Sequence, residues 1–176
     1  AALADLVAGL CTPAQGSIEH HGKTLKKWSP RDAVNKGIAR IPEDRHKTGT
    51  IADFSLTENA ILECYNSSHF SNSGWMHWQK ARAFAVGIIK KYDVRCPGPD
   101  TRIRLLSGGN MQKLILGRVL EAAPDIVLAN QPVRGLDIGA VNYVHSQLLA
   151  ARDRGAAVLL ISEDLDEIMR LSDVIH

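Results

Sequence analysis

Two short segments in the second half of the sequence consist of apolar residues only. They lie at 126–129 (IVLA) and 157–161 (AVLLI), and segments with the apolar spacing of helices surround them at 110–122, 140–152 and 165–170. Fully apolar strands that alternate with helices are typical of a parallel sheet covered by helices on both faces. The pattern therefore predicts an α/β fold with a parallel-sheet core.

The preceding residues extend this core and interrupt it once. We predict a helix at 3–10, a strand and turn at 16–22, a helix that Ser29 caps and Pro30 opens, and a strand at 37–42. Clusters of Gly, Pro, Asn and Ser then separate two helical pieces at 55–63 and 78–92, and a last strand is predicted from Val174. The core would comprise 1–43 and 111–176, with a helical subdomain inserted at about 44–110.

The composition argues against several classes of protein. Hydrophobic residues make up 45% of the chain, but no apolar run approaches the roughly 20 residues that cross a bilayer. Lys and Arg number 21 against 19 Asp and Glu, a formal charge of +2 that predicts no concentrated basic surface for nucleic acid. Cys11, Cys64 and Cys96 lack the spacing of a disulfide framework or a zinc site, which favours a reducing compartment.

The most informative motif is Leu106-Ser107-Gly108-Gly109-Asn110-Met111-Gln112-Lys113, whose last four residues begin a predicted helix. Glycines allow a ligand to approach the backbone, and the free amides and dipole of a helix N-terminus attract an anion. Ser107 adds a hydroxyl donor. Taken alone, the two glycines favour the alternative of a C-cap of one helix before the start of the next.

The context of this motif resembles the nucleotide-binding subunits of ABC transporters. LSGGN is similar to their signature motif, and further markers follow the order of that family: IPEDR at 41–45, FSLTEN at 54–59, QPVRGLD at 131–137 and SEDLDE at 162–167. DFSLTEN and YDVRCPGPDTR are similar to the branch that imports nucleosides and simple sugars, in the second of two fused domains. The resemblance implies a P-loop NTPase-like fold (ABC ATPase), truncated at both ends.

The residues also depart from the pattern of a hydrolysing ABC domain. Asn130 and Gln131 stand where the family carries the Asp and Glu of the Walker B motif, which hold the Mg²⁺ shell and polarise the attacking water. Glu163 replaces the switch histidine, and Glu43 replaces the glutamine of the Q-loop. No GxxxxGK[ST] phosphate loop occurs in the sequence; in the resembling proteins it would immediately precede Ala1. We therefore expect this domain alone to be inactive in hydrolysis.

The intact signature implies a role in a partner's site. ABC domains pair head to tail, so Ser107, Gly108 and Gly109, with Asn110 and Gln112 of the same motif, would complete an ATP and Mg²⁺ site on a second ABC domain. Asp137 matches the D-loop at the seam between the two domains. The resemblance further implies hydrophobic permease subunits, indirectly a solute-binding protein, no nucleic acid partner, and a peripheral location on the cytoplasmic face of the cell membrane.

Two other functions remain open at this point. The missing catalytic residues are compatible with a non-catalytic regulatory or scaffold module. A soluble ABC ATPase acting on DNA or ribosomes is disfavoured by the charge balance and the short helical insertion. Within that insertion, which the resemblance implies docks a permease, Phe70, Trp75 and Trp78 are interpreted as core or subdomain-interface residues. The side chains of Arg45, Arg102, Arg104 and Arg134 would lie either in the phosphate field or in solvent.

Overall fold

A three-stranded parallel sheet forms the centre of the molecule. The computed structural model of the chain describes residues 2–20, 22–25 and 28–176. Strands β3 (Ile38–Ile41), β6 (Ile126–Asn130) and β7 (Ala157–Ile161) lie in the order β3-β6-β7, and Val127 of β6 is in register with Ala39 on one side and Val158 on the other. The predicted α/β fold with a parallel-sheet core is confirmed.

The middle strand β6 is apolar from Ile126 to Ala129, with Asn130 as its polar last residue, because helices cover both of its faces. Leu128 packs against Ala4 and Ala8, at the helix α1 (Ala2–Val7), whereas Val127 and Ala129 belong to the larger core on the opposite face. Successive side chains of a strand alternate between faces, so a strand buried on both sides has no polar position. The solid apolar run is thus a direct consequence of the layer arrangement.

The remaining elements surround this sheet. Two hairpins are formed by β1 (Glu19–His20) with β2 (Lys23–Thr24) and by β4 (Ser71–Asn72) with β5 (Trp75–Met76). A π-helical turn occupies Arg45–Gly49 and a 3₁₀ turn Ile103–Leu105. The helices after α1 are α2 (Pro30–Asn35), α3 (Leu56–Ala60), α4 (Trp78–Lys91), α5 (Gly108–Glu121), α6 (Ile138–Asp153) and α7 (Leu165–Leu171).

Local sequence signals explain where several helices begin. Ser29 accepts a hydrogen bond from the Asp32 backbone at 3.3 Å and so caps α2, with Pro30 at its first position as predicted. Ser55 and Glu58 form a capping box at the start of α3. Helix α3 is shorter than the predicted 55–63, because the chain leaves the helix at Ile61 and continues as turns.

The inserted helices share one hydrophobic core with the sheet. Residues of α3, α4 and α5 lie in the same buried cluster as those of β3 and β6, among them Leu56, Ile88 and Ile115. Helix α5 starts in the predicted subdomain and continues into the predicted core, so the expected boundary at 110/111 falls inside it. The division into core and subdomain stays a prediction.

The structure departs from the sequence expectations near the C-terminus and at two tryptophans. The strand predicted from Val174 is wrong: residues 172–176 pair with no strand of the described chain, and a strand forms only when a neighbour satisfies its backbone. Trp75 and Trp78 are not core residues, since they are 80% and 52% exposed, whereas Phe70 is buried against Phe84 as expected. Ala1, and His21 within the predicted strand and turn at 16–22, lie outside the described residues.

Candidate functional site

The predicted signature forms the first turn of helix α5. Ser107 is its N-cap, and its Oγ accepts hydrogen bonds from the backbone amide of Asn110 at 3.4 Å and from Asn110 Nδ2 at 3.0 Å. Asn110 Oδ1 in turn accepts from the amide of Arg95 at 2.8 Å. Gly108 and Gly109 lie inside the new helix rather than at the end of a preceding one, which rules out the C-cap explanation.

This arrangement suits an anion. The first amides of a helix have no acceptor within it, and a 14-residue helix such as α5 concentrates partial positive charge at that end. Ser107 is exposed and acts as acceptor in both of its bonds, so its own hydroxyl proton remains free to donate to a further group.

A second helix N-terminus lies beside the signature. Asp137 caps α6, with its Oδ1 accepting from the amide of Ala140 at 3.0 Å. A methyl group placed on Gly109 would lie 3.4 Å from Ala140 Cβ and 3.9 Å from Asp137 Oδ2. The predicted signature and D-loop residues thus form one continuous surface. Two apolar side chains at its edge are largely exposed, Leu105 at 69% and Ile138 at 82%.

Gln112 does not belong to this surface, although it belongs to the same motif. It is buried, and its Nε2 donates to the carbonyl oxygen of Pro132 at 2.8 Å. The structure therefore gives Gln112 a packing role between α5 and the loop after β6. The prediction that it contacts nucleotide conflicts with this position, because its amide is already engaged away from solvent.

The two residues predicted at the Walker B positions are the last residue of strand β6 and the residue that follows it. Asn130 is buried, and Gln131 adopts a φ of +51°, a left-handed conformation that is uncommon for a residue other than glycine. The backbone amide of Gln131 donates to the carbonyl of Ile161 at 2.8 Å, which ties the end of β6 to the end of β7. Neither side chain carries a carboxylate, so neither can offset the charge of a metal ion or accept a proton from water.

Glu43, at the Q-loop position, is already paired. Its carboxylate accepts a charge-assisted hydrogen bond from the guanidinium of Arg134, which lies in the loop after β6. Glu43, which the sequence places at a position facing the metal in the resembling proteins, thus has its carboxylate engaged by Arg134. Within residues 2–20, 22–25 and 28–176, no group of three or more His, Cys, Asp or Glu side chains is placed to hold a metal ion. The residues of this face do not fit Mg²⁺.

Glu163, at the switch position, projects from the loop after β7 and is exposed. Glu167, which is only 2% exposed, hydrogen-bonds to the same loop. Glu167 Oε2 accepts from Ser162 Oγ at 2.6 Å, and Glu167 Oε1 lies 2.9 Å from His145 Nε2 on α6. A buried polar cluster thus joins α6, α7 and the switch loop.

A family model, curated relatives and solved structures match this chain. The family model described as "ABC transporter" matches residues 1–134, which include the signature and the Walker B positions. The chain belongs to the ABC transporter family. As an ABC domain it is 44% identical to the guanosine import ATP-binding protein NupO of Bacillus subtilis, over 97% of this chain and 34% of NupO. It is 38% identical to the nucleoside import ATP-binding protein NupA of Lactococcus lactis, over 99% of this chain and 35% of NupA.

A ribose import ATP-binding protein, RbsA of Bacillus licheniformis, is 35% identical over 97% of this chain and 35% of its own length. The ABC domain therefore spans about a third of the curated relatives that it matches. Among solved structures, an ATP-binding cassette in a dimeric post-hydrolysis state with ADP and phosphate matches with a TM-score of 0.74 at 19% identity, over 94% of this chain and 70% of that one. A nucleotide-free ATP-binding cassette matches with a TM-score of 0.74 at 18% identity, over 98% of this chain and 69% of that one. These structures show the ABC ATPase fold.

Glu167→Ala should lower the free energy of unfolding of the ABC domain by roughly 2–4 kcal/mol, because it leaves the buried ring of His145 and the half-buried hydroxyl of Ser162 without their acceptor. Glu163→Ala, an identical change at an exposed position four residues earlier, should alter it by less than about 0.5 kcal/mol. Urea denaturation of the two variants measures the difference. Equal midpoints would show that the buried cluster does not stabilise the domain.

The four arginines left open by the sequence fall into two pairs. Arg102 and Arg104 are exposed and lie 3.7 and 3.1 Å from Asp53 Oδ1, which makes them partners in a surface ion pair. Arg45 and Arg134 instead connect loops that are distant in sequence: Arg45 Nη1 donates to the carbonyl of Arg134 at 2.9 Å, across 89 residues. No local sequence pattern identifies such a contact.

Proposed function

We propose that this ABC domain is an ATP-binding, energy-coupling component of an importer for nucleosides or simple sugars, and that its signature completes an ATP site on a partner ABC domain. The observation that carries the proposal is the exposed N-terminus of α5. Ser107, Gly108 and Gly109 present a hydroxyl and unpaired amides there, next to Asp137.

These groups suit the terminal phosphate of an ATP molecule that a partner domain holds. Phosphoryl transfer is accelerated mainly by positioning and by preorganised donors aimed at the oxygens that gain charge. Backbone amides at a helix N-terminus supply such donors without a basic surface, which fits the balanced charge of the chain. The residues described here fit the phosphate end of a composite site, and the Mg²⁺ ligands would belong to the partner.

The exposed apolar residues beside the signature support a partner at this surface. Leu105 directly precedes the signature and Ile138 directly follows Asp137, and both are largely exposed. Apolar side chains that flank a polar site are typical of a surface that another protein covers. A second ABC domain seated there would bury Leu105 and Ile138 and enclose the phosphate between the two domains.

Gln131→Ala should leave the transport-coupled ATPase of the full-length protein within about twofold of the unmodified rate. Gln131 carries no carboxylate with which to take a proton from water, so its removal takes away little catalytic power. The measurement is steady-state phosphate release by the protein assembled with its membrane subunits. A loss of tenfold or more would show that the domain's own face takes part in hydrolysis.

The importer assignment rests on relatives named for guanosine, nucleoside and ribose import. Hydrophobic permease subunits would dock on the inserted helices, where Trp75 and Trp78 are exposed, and would bring the domain to the cytoplasmic face of the membrane. A solute-binding protein would act on the permease and not on this domain. No helix of the described residues is both long and apolar enough to pass through a bilayer.

Uptake by cells tests the assignment. Cells that lack the gene for the full-length protein should lose uptake of radiolabelled guanosine or of radiolabelled ribose, and a plasmid copy should restore it. Unchanged uptake of nucleosides and simple sugars would remove the importer assignment. The absence of carboxylates at Asn130 and Gln131 would then favour the alternative of a non-catalytic scaffold module, detected as a partner that copurifies without stimulating ATP hydrolysis.

A further inference from the structure

Arg45 occupies an unusual position for a charged side chain. It follows strand β3 by four residues, yet its guanidinium reaches the loop after β6, where Nη1 donates to the carbonyl of Arg134 at 2.9 Å and Nη2 to that of Gly135 at 3.4 Å. Nε is buried and has no hydrogen-bond partner among the residues that the structure describes. Arg45 therefore connects the Q-loop segment with the segment that leads to Asp137.

The same guanidinium contacts the signature. A methyl group placed on Gly108 would lie 3.3 Å from Arg45 Nε and 3.4 Å from Nη2, and one placed on Gly135 would lie 3.4 Å from Nη2. Glycine at both positions allows the planar group to lie between the first turn of α5 and the loop before α6. The signature and the D-loop segment thus both lie close to this one side chain.

This placement is electrostatically unfavourable in the isolated domain. A cation next to the positive end of a helix dipole is repelled, and burial lowers the pKa of Arg45 despite the neighbouring Asp44. The nearby carboxylate of Glu43 is paired with Arg134, so it does not neutralise the charge of Arg45. Local conflicts of this kind concentrate at functional sites, where a ligand or partner resolves them.

We infer that Arg45 is a positioning residue, which holds the signature and the Asp137 segment at the spacing that the phosphate of the partner's ATP requires. This inference rests on the proposed composite site. Arg45 acts through two directed bonds from a planar fork, which the ammonium group of lysine cannot reproduce although it keeps the charge. Displacing catalytic groups by about 1 Å can cost up to 100-fold in rate.

A double-mutant cycle in the full-length protein, assembled with its membrane subunits, tests the inference. We expect Arg45→Lys to lower the ATPase kcat about tenfold in the unmodified protein and less than about twofold in a Ser107→Ala background. Arg45 acts by holding the signature in place. Once the Ser107 hydroxyl has been removed from the signature, replacing Arg45 should therefore lower kcat little further. Arg152→Lys, at an exposed arginine that bonds Asp153, is the matched control and should change kcat less than twofold.

Two outcomes would overturn the inference. An unchanged kcat for Arg45→Lys would show that charge alone suffices, and an equal loss in both backgrounds would show a general structural effect. If Arg45→Lys does not fold, Arg45→Gln replaces it in the same cycle and is judged in the same way. The proposed function is tested separately by Ser107→Ala: if that variant alone keeps full activity, the composite site is wrong whatever Arg45 does.

Discussion

Ser107→Arg is expected to abolish the ATPase activity of the full-length protein assembled with its membrane subunits. The change removes the hydroxyl at the N-cap of α5 and places a long side chain where the terminal phosphate would meet the signature amides. Loss of a single preorganised donor costs roughly 10²–10³ in rate, and steric exclusion of the phosphate adds to that loss. We therefore expect activity at or below about 1% of the unmodified protein.

The fold should survive this substitution. Loss of an N-cap costs about 1 kcal/mol, which a domain core of this size tolerates. Ser146→Arg is the matched control, because Ser146 is also an exposed serine, lies on α6 and, among the described residues, bonds the carbonyl of Tyr143 at 2.7 Å. Both variants should unfold in one cooperative transition, with Ser107→Arg less stable than Ser146→Arg by about 1 kcal/mol. Hydrolysis by Ser107→Arg at the rate of Ser146→Arg would refute a role for the signature.

Gly117→Ala is expected to destabilise the protein by about 3 kcal/mol. Helices α4 and α5 pack together at Gly117, where a methyl group would lie 2.4 Å from Ile88 Cγ2 and 3.0 Å from Tyr92 Cδ2. Ile88 and Tyr92 are themselves buried, so neither side chain can move aside without opening the core. The glycine is therefore required by the close approach of two helices.

Gly87→Ala, in helix α4 of the same pair, is expected to change the stability in the opposite direction. Gly87 lies within α4 and is exposed, and a methyl group there would meet no atom of the described residues within 4 Å beyond its chain neighbours and the adjacent backbone of its own helix. Alanine should stabilise the helix at this position by roughly 0.5–1 kcal/mol through its higher helix propensity. Urea denaturation should thus shift in opposite directions for the two variants. A shared direction would show that the interhelical contact at Gly117 is not the controlling factor.

The sheet could be predicted from sequence because a strand that is buried on both faces consists of consecutive apolar residues. Strand β7 occupies the predicted 157–161, and β6 extends the predicted 126–129 by Asn130. The signature helix could be located for a similar reason, since Ser107 and the two glycines mark its start within a few residues. In both cases the physical cause and the sequence pattern lie in the same short segment.

The features that sequence did not reveal depend on distant partners. Arg45 lies close to Gly108 and Gly135 because the fold brings these distant segments together. Gln112 is buried where it bonds the loop that contains Pro132. Trp75 is exposed because its hairpin has only two residues in each strand and projects its side chain from the surface. Apolar character predicts burial only where a facing element exists to cover it.

The number of ADP molecules formed in a single turnover tests the division of roles between the two ABC domains most directly. The full-length protein, assembled with its membrane subunits, is loaded with radiolabelled ATP and trapped after one round of hydrolysis. One ADP per pair of ABC domains is expected, and none once Ser107 is replaced by Arg. Two ADP per pair would contradict the account, because the face that carries Asn130 and Gln131 would then hydrolyse ATP as well.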